Sequence, residues 1–329
     1  MSRSFGSMAL IAAALFAGGS LAYADTQPEW PTRAVRIVVP FGAGTGLDVM
    51  ARAFAQRLGE QTHSAFIVDN KEGAGGTVGA IATAHAPADG YTLMFTAHAP
   101  FAVAPYLQEG QPYDPIRDFT PITKMAVIPM VLVTGSKSPY KRVEDVVASA
   151  RANPGKLDYA SSGVGTPSHL YVEVLKQKLG LDIVAVPYKS TGQAMTDLIS
   201  GQTALYMPSL PAALPQIQSG QVRALAVGSA QRAKSIPDVP TVAEVVNTPG
   251  LEASVWYGFL APKGMQGELA QRIHTELAKA ADSAQIRQLA QSLGAELTVV
   301  GPEAFQAQVV RDARASRELL QSLGVARQN

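Results

Sequence analysis

Two stretches of the 329-residue chain place bare backbone and hydroxyls where chemistry could use them. The first is Phe41-Gly42-Ala43-Gly44-Thr45-Gly46-Leu47-Asp48, which follows an apolar run, Val35 to Pro40. Glycine has no Cβ, so a ligand can come close to the main chain. A helix that starts there offers free N–H groups and a partial positive charge of roughly half a unit. Thr45 adds a hydroxyl. Asp48 either complements the helix dipole from the first turn or contacts a ligand or another lobe. The second stretch is Ser161-Ser162-Gly163-Val164-Gly165-Thr166-Pro167-Ser168-His169. Thr166 suits an N-cap and Pro167 a first helical residue. Either stretch alone reads as an ordinary capped turn. Together they could hold the two ends of one small anion, a phosphate or a carboxylate.

The elements around them must put both stretches at strand ends. Val35 to Pro40 reads as a buried strand and Asp48 to Gly59 as a helix. Strands are predicted over 66–68, 91–96, 130–134, 157–160, 183–187, 204–207, 222–227 and 256–261. Helices are predicted from the glycines at 73–79 to His85, and over 143–152, 167–179, 192–199, 266–281, 283–293 and 302–323. Strands and helices alternate, so the class is α/β with mostly parallel sheets. Ligand sites in such sheets lie outside the carboxyl ends of the strands. His98 falls at another of these ends.

Bulk composition narrows the classes. Net charge is +1 from 27 basic and 26 acidic residues, which gives no footprint for nucleic acid. Hydrophobic residues make up 47%, enough to bury a core in about two domains. The chain has no cysteine, which excludes disulfides, thiolate zinc sites and cysteine nucleophiles. Arg3, the apolar run Met8 to Phe16 and Ala22-Tyr23-Ala24 read as a signal peptide over residues 1–24, cleaved before Asp25. The apolar run is too short to span a bilayer. An exported protein meets little ATP or NAD, which favours a carboxylate.

Enzyme signatures are missing. There is no G-x-S-x-G, no G-x-x-x-x-G-K-[ST] and no H-E-x-x-H, and neither glycine-rich loop has the G-x-G-x-x-G spacing. His63, His85, His98, His169 and His274 show no metal spacing. A Ser161/His169 nucleophile pair is conceivable, but no third orienting group is visible. No cofactor and no metal are expected.

Several segments, in order, resemble one family. They are Trp30-Pro31-Thr32-Arg33, Arg36 to Phe41, Gly44 to Arg52, Gly73-Ala74-Gly75-Gly76, Pro87 to Leu93, Ser161 to Gly165 with His169-Leu170, Val186 to Lys189, and Pro237 to Glu244. The set resembles the substrate-binding receptors of tripartite tricarboxylate transporters, also called Bug-type proteins. The resemblance implies a two-lobed periplasmic binding protein, each lobe a mostly parallel sheet flanked by helices, with the ligand between them. Lobe 1 would be about 25–125 plus 252–329, and lobe 2 about 126–251, with hinges near 124–129 and 251–257. It implies a pincer on ligand carboxylates from 42–48, with Phe41, Gly44, Thr45, Gly46 and Asp48, and from the second stretch, with Ser161, Ser162, Gly163, Gly165, Thr166 and His169. His98 joins the candidates. The partners implied are membrane permease subunits, the protein acting as a monomer. A sensor feeding a two-component kinase, or an exported hydrolase, is the alternative.

Two departures stand out. Relatives often carry acids after the turn at Gly201-Gln202, where this chain has Ala204 and Pro208. The usual paired glycine in the first loop is Gly44-Thr45 here. Leu205-Tyr206-Met207-Pro208-Ser209 is therefore apolar and aromatic. It reads either as strand packing or as a cleft wall, since Met adapts and Tyr offers a flat face. The second reading adds Tyr206, Met207, Pro208 and Ser209 to the site. It favours a dicarboxylate with an apolar or aromatic body, terephthalate-like, over citrate.

Overall fold

The computed structural model describes residues 30–107, 113–188, 190–249 and 251–322. The expected signal peptide and its cleavage point lie outside them. Among the described residues no helix is long and apolar enough to cross a membrane.

Two sheets organise the chain. The strands are β1 (Val35–Val39), β2 (Phe66–Asn70), β3 (Thr92–Ala97), β4 (Phe119–Pro129), β5 (Val131–Gly135), β6 (Leu157–Ser161), β7 (Ile183–Pro187), β8 (Leu205–Tyr206), β9 (Val222–Val227), β10 (Ser254–Pro262) and β11 (Glu296–Val300). The first sheet runs β11-β4-β10-β3-β1-β2 and the second β7-β6-β8-β5-β9. Val35, Ile37, Val38 and Val39 of β1 are fully buried, because helices cover both faces. Ile37 and Val39 pack with Met50 and Phe54 of the helix Gly46–Thr62. On the other face Met94 packs with Ala80 of the helix Thr77–Ala84. Gly79 permits that approach, since a Cβ there would come within 2.7 Å of Pro40 Cβ.

The sheets are mixed rather than mostly parallel. Pairing is parallel where β2, β1 and β3 meet and where β7, β6 and β8 meet. It is antiparallel where β10 and β4 join the first sheet and where β5 joins the second. The parallel halves still align the carboxyl ends of their strands along one edge of each sheet. Those edges carry both glycine-rich stretches.

The chain changes sheet over a single residue, Met130, between β4 and β5. It returns at Ala253, just before β10. Three main-chain bonds tie this crossing. Met130 N–H donates to Ala253 O at 2.8 Å, Gly228 N–H to Met130 O at 2.7 Å, and Ala253 N–H to Gly228 O at 2.8 Å. The helix Pro302–Ser322 lies along the crossing strands. Phe305 fills the space above Gly258, Gln308 accepts from Lys124 Nζ at 2.9 Å, and Asp312 accepts from Trp256 Nε1 at 2.9 Å. Its far end reaches the helix Pro167–Leu179 beside the other sheet, where Leu320 packs with Leu170 and Val103.

A Cβ on Gly228 would overlap the Ala253 carbonyl. Gly228→Ala should therefore cost about 3 kcal/mol, the upper end of ordinary overpacking. Urea unfolding measures it; a midpoint equal to wild type would contradict the crossing geometry.

Candidate functional site: two helix mouths

The first mouth is closed on itself by a carboxylate. Thr45 is the N-cap, with extended backbone. Its hydroxyl accepts from Asp48 N–H at 3.3 Å and donates to Gly42 O at 2.9 Å. Asp48 is only 2% exposed. Its Oδ2 accepts from Gly44 N–H at 2.9 Å and from Arg52 Nε at 3.0 Å. Its Oδ1 accepts from Asn70 Nδ2 at 2.9 Å. Asn70 Nδ2 also donates to Phe41 O at 3.0 Å, and Arg52 donates to Asn70 Oδ1 at 2.8 Å. Asp48 therefore braces the loop from the first turn of the helix. Burial alone would raise its carboxyl; the hydrogen bonds from Arg52, Gly44 and Asn70 hold it below the usual carboxylate range. Gly44 has φ +81°, a conformation that disfavours any side chain there. The N–H groups of Thr45, Gly46 and Leu47 find no acceptor among the described residues.

The second mouth is built from hydroxyls. Gly163 and Gly165 take positive φ to turn β6 into the helix Pro167–Leu179. Thr166 sits at the N-cap, but its hydroxyl does not cap a helix amide. It donates to Gly163 O at 2.7 Å instead. Ser168 Oγ is the hub, 2.9 Å from Ser162 N, Ser162 Oγ and Thr166 Oγ1. His169 Nδ1 accepts from Gly165 N–H at 3.2 Å, and the ring stacks on Tyr159. The N–H groups of Gly163 and Val164 have no acceptor among the described residues.

The remaining candidates divide. Ser161 Oγ is buried with no partner, and no hydrogen bond joins it to His169. The nucleophile pair conceivable from sequence is not assembled. His98 ends β3 with its ring walled in, edge-on to Trp256 and 3.8 Å from Asp312 Oδ2. Burial pulls its pKa down, against the pull of Asp312 upward.

The cleft-wall reading of Leu205–Ser209 is corrected. Met207 is wholly buried in the main core and Tyr206 nearly so. β8 lies between β6 and β5, and its side chains alternate between the cores on the two faces of the sheet, Leu205 and Met207 in one and Tyr206 in the other. Pro208 is buried too, its carbonyl accepting Val131 N–H at 2.9 Å, and half-buried Ser209 bridges to Met130. This stretch belongs to core and crossing. Only the Tyr206 hydroxyl reaches the second mouth, near Ser162 and Thr191. Sequence reasoning overlooked Ser168, Asn70 and Arg52 as braces. Asn70 had one signal: it ends β2, beside β1, on the edge that carries the first mouth.

With this geometry in place, likeness to known proteins becomes informative. The family model described as the tripartite tricarboxylate transporter family receptor matches residues 50–325. The chain belongs to that family. It is 35% identical over 281 residues to protein BugT of Bordetella pertussis, covering 85% of each chain. Among solved structures it is similar to the periplasmic binding protein BugD, at 33% identity and TM-score 0.74, covering 91% of this chain and 100% of that one. A protein of R. palustris solved with adipate is 34% identical with TM-score 0.78, covering 90% of this chain and 99% of that one. The family and these structures are substrate-binding receptors, and the two-lobed α/β fold is theirs.

Asp48→Asn keeps the shape and sets an amide donor against one of three donors. It should cost about 2 kcal/mol at pH 7. Asp48 has a depressed folded-state pKa, so its contribution is present above the unfolded value near ~4 and lost as pH falls. The gap between wild type and variant should shrink at pH 3. Equal gaps at both pH values in urea unfolding would contradict the brace.

Proposed function

We propose that the protein is a periplasmic receptor that captures a small dicarboxylate with an apolar body and passes it to a membrane permease. The observation that carries this reading is the pair of helix mouths, each with unclaimed N–H groups at a parallel strand edge. Carboxylates held by main-chain dipoles need no cation. Among the described residues, Arg52 beside the first mouth is engaged with Asp48 and Asn70, and Lys176 on the helix of the second with Glu173.

The apolar body draws support from exposed Val164 and half-buried Phe41, one at each mouth. The adipate found with the R. palustris relative, an aliphatic dicarboxylate, supports it further. An aromatic, terephthalate-like body lost its main argument when Tyr206 and Met207 proved buried, and aliphatic diacids come first. The lobes would be 25–125 with 252–329, and 126–251, rotating about Met130 and the Gly228–Ala253 contact. Closure then completes both carboxylate contacts at once. One copy carries both mouths, so a monomer suffices. Export with cleavage before Asp25 rests on the signal-peptide pattern of residues 1–24, and delivery to a tripartite permease on family membership.

The test is a thermal-shift screen of residues 25–329 against aliphatic dicarboxylates, terephthalate, citrate, amino acids and an ester panel watched for turnover. A ligand at about 100 times its Kd adds ~2.7 kcal/mol, a visible shift. Adipate and its neighbours in length should shift the midpoint most. No shift with any carboxylate, or turnover of an ester, would overturn the reading.

A further inference from the structure

We propose that His169 is a positioning residue: its neutral imidazole, through Nδ1, holds the Gly165 amide in place and so keeps the second mouth open to a carboxylate only above mildly acidic pH. The inference rests on the receptor reading above and deepens it.

The geometry is specific. Gly165 N–H donates to His169 Nδ1 at 3.2 Å, a buried bond across one helical turn. Gly165 has φ +76° and Gly163 φ +124°, and the Ser168 and Thr166 hydroxyls hold the loop at Ser162 and Gly163, leaving the Gly165 amide to the imidazole. An imidazole nitrogen accepts only when it carries no proton. The proton therefore sits on Nε2, and the bond requires the neutral ring. Protonating Nδ1 would set two N–H groups against each other and turn Gly165 out of place.

The surroundings favour the neutral ring at neutral pH. His169 is 8% exposed and stacked on Tyr159 at 6.4 Å between centroids. The titratable groups facing it are Tyr159, from β6, and Glu173 and Lys176, from its own helix. Glu173 is engaged twice, accepting from Tyr159 OH at 2.6 Å and Lys176 Nζ at 2.7 Å. On the neighbouring turn, Leu170 packs with Ala102, Val103 and Leu320, with Tyr106 partly buried beside them, and Tyr171 lies within reach of the charges of Asp312 and Glu252. Burial lowers the imidazole pKa from its ordinary 6.5; Glu173 opposes this and Lys176 adds to it. A folded-state pKa below the unfolded one means the neutral ring dominates at pH 7 and the ordered mouth is lost as pH falls through the folded value.

Two substitutions separate positioning from packing. The Oδ1 of His169→Asn falls near the place of Nδ1 and accepts without titrating. In His169→Gln the acceptor falls near Nε2 instead. The first readout uses the empty receptor: NMR of the imidazole nitrogens and the Gly165 amide from pH 7.5 to 5. The expected result is the Nε2–H tautomer, with the Gly165 amide moving at the same midpoint as the ring. His169→Asn should keep the neutral-pH Gly165 position at every pH, and His169→Gln should displace it throughout. An Nδ1–H tautomer, or a Gly165 amide that ignores the ring's titration, overturns the proposal. Calorimetry with adipate then reads binding. Below the ring's midpoint wild type should lose affinity about tenfold per pH unit beyond the loss caused by adipate's own protonation, and His169→Asn should show only that ligand loss. Equal loss in both would place the pH effect elsewhere and overturn the switch. A receptor that ignores adipate and every other dicarboxylate counts against the function proposed above; the empty-receptor tautomer is decided separately.

Discussion

The first N–H groups of a helix have no acceptor inside that helix. A fold that ends its parallel strands in such helix starts must satisfy those groups or present them. Here each mouth does both, by different means. The first gives its Gly44 N–H to the buried Asp48 carboxylate and leaves the amides from Thr45 to Leu47 unclaimed among the described residues. The second gives Ser162 N–H to the Ser168 hydroxyl and Gly165 N–H to an imidazole, leaving Gly163 and Val164 without an acceptor among the described residues. In each mouth some amides hold the loop rigid so that others stay available. An anion that meets preset donors loses less free energy to ordering them.

The crossing between the sheets places the same demand on the rest of the chain. Two rigid mouths act on one ligand only if their lobes keep a defined relation. Three main-chain bonds among Met130, Gly228 and Ala253 provide it. The helix Pro302–Ser322 extends that control, running from Phe305 under Gly258 to Leu320 against Leu170. Leu170 follows His169 in the helix that opens at the second mouth. Tyr171, next again, donates its hydroxyl to Ser254 O at the start of β10. Mouth and crossing are thus in direct contact through one helical turn.

Much of this was legible. The helix Pro167–Leu179 and the strands Ile183–Pro187 and Val222–Val227 fall where period, cap and β-branched runs put them. Those signals are local. β4 was missed: Pro121 and Lys124 interrupt its pattern, and it forms because β10 and β11 pair with it from either side. β11 was missed for the same reason, as a short edge whose only partner is distant in sequence. The antiparallel joins that make the sheets mixed are likewise tertiary. At the site, glycine spacing announced both mouths. The role of Asp48 was undecidable, because its partners Asn70 and Arg52 reach it only once β2 lies beside β1. Tyr206 and Met207 misled because an apolar strand looks alike whether it faces a core or a cleft.

The central claim is that both mouths grip one dicarboxylate through main-chain amides. It is tested most directly by a backbone-amide NMR titration of the receptor with adipate, with adipamide as the uncharged control. The account predicts that Gly46 and Leu47 at the first mouth and Gly163 and Val164 at the second shift together, at a single midpoint, with adipate and not with adipamide. Shifts confined to one mouth, or equal responses to the diamide, would contradict it.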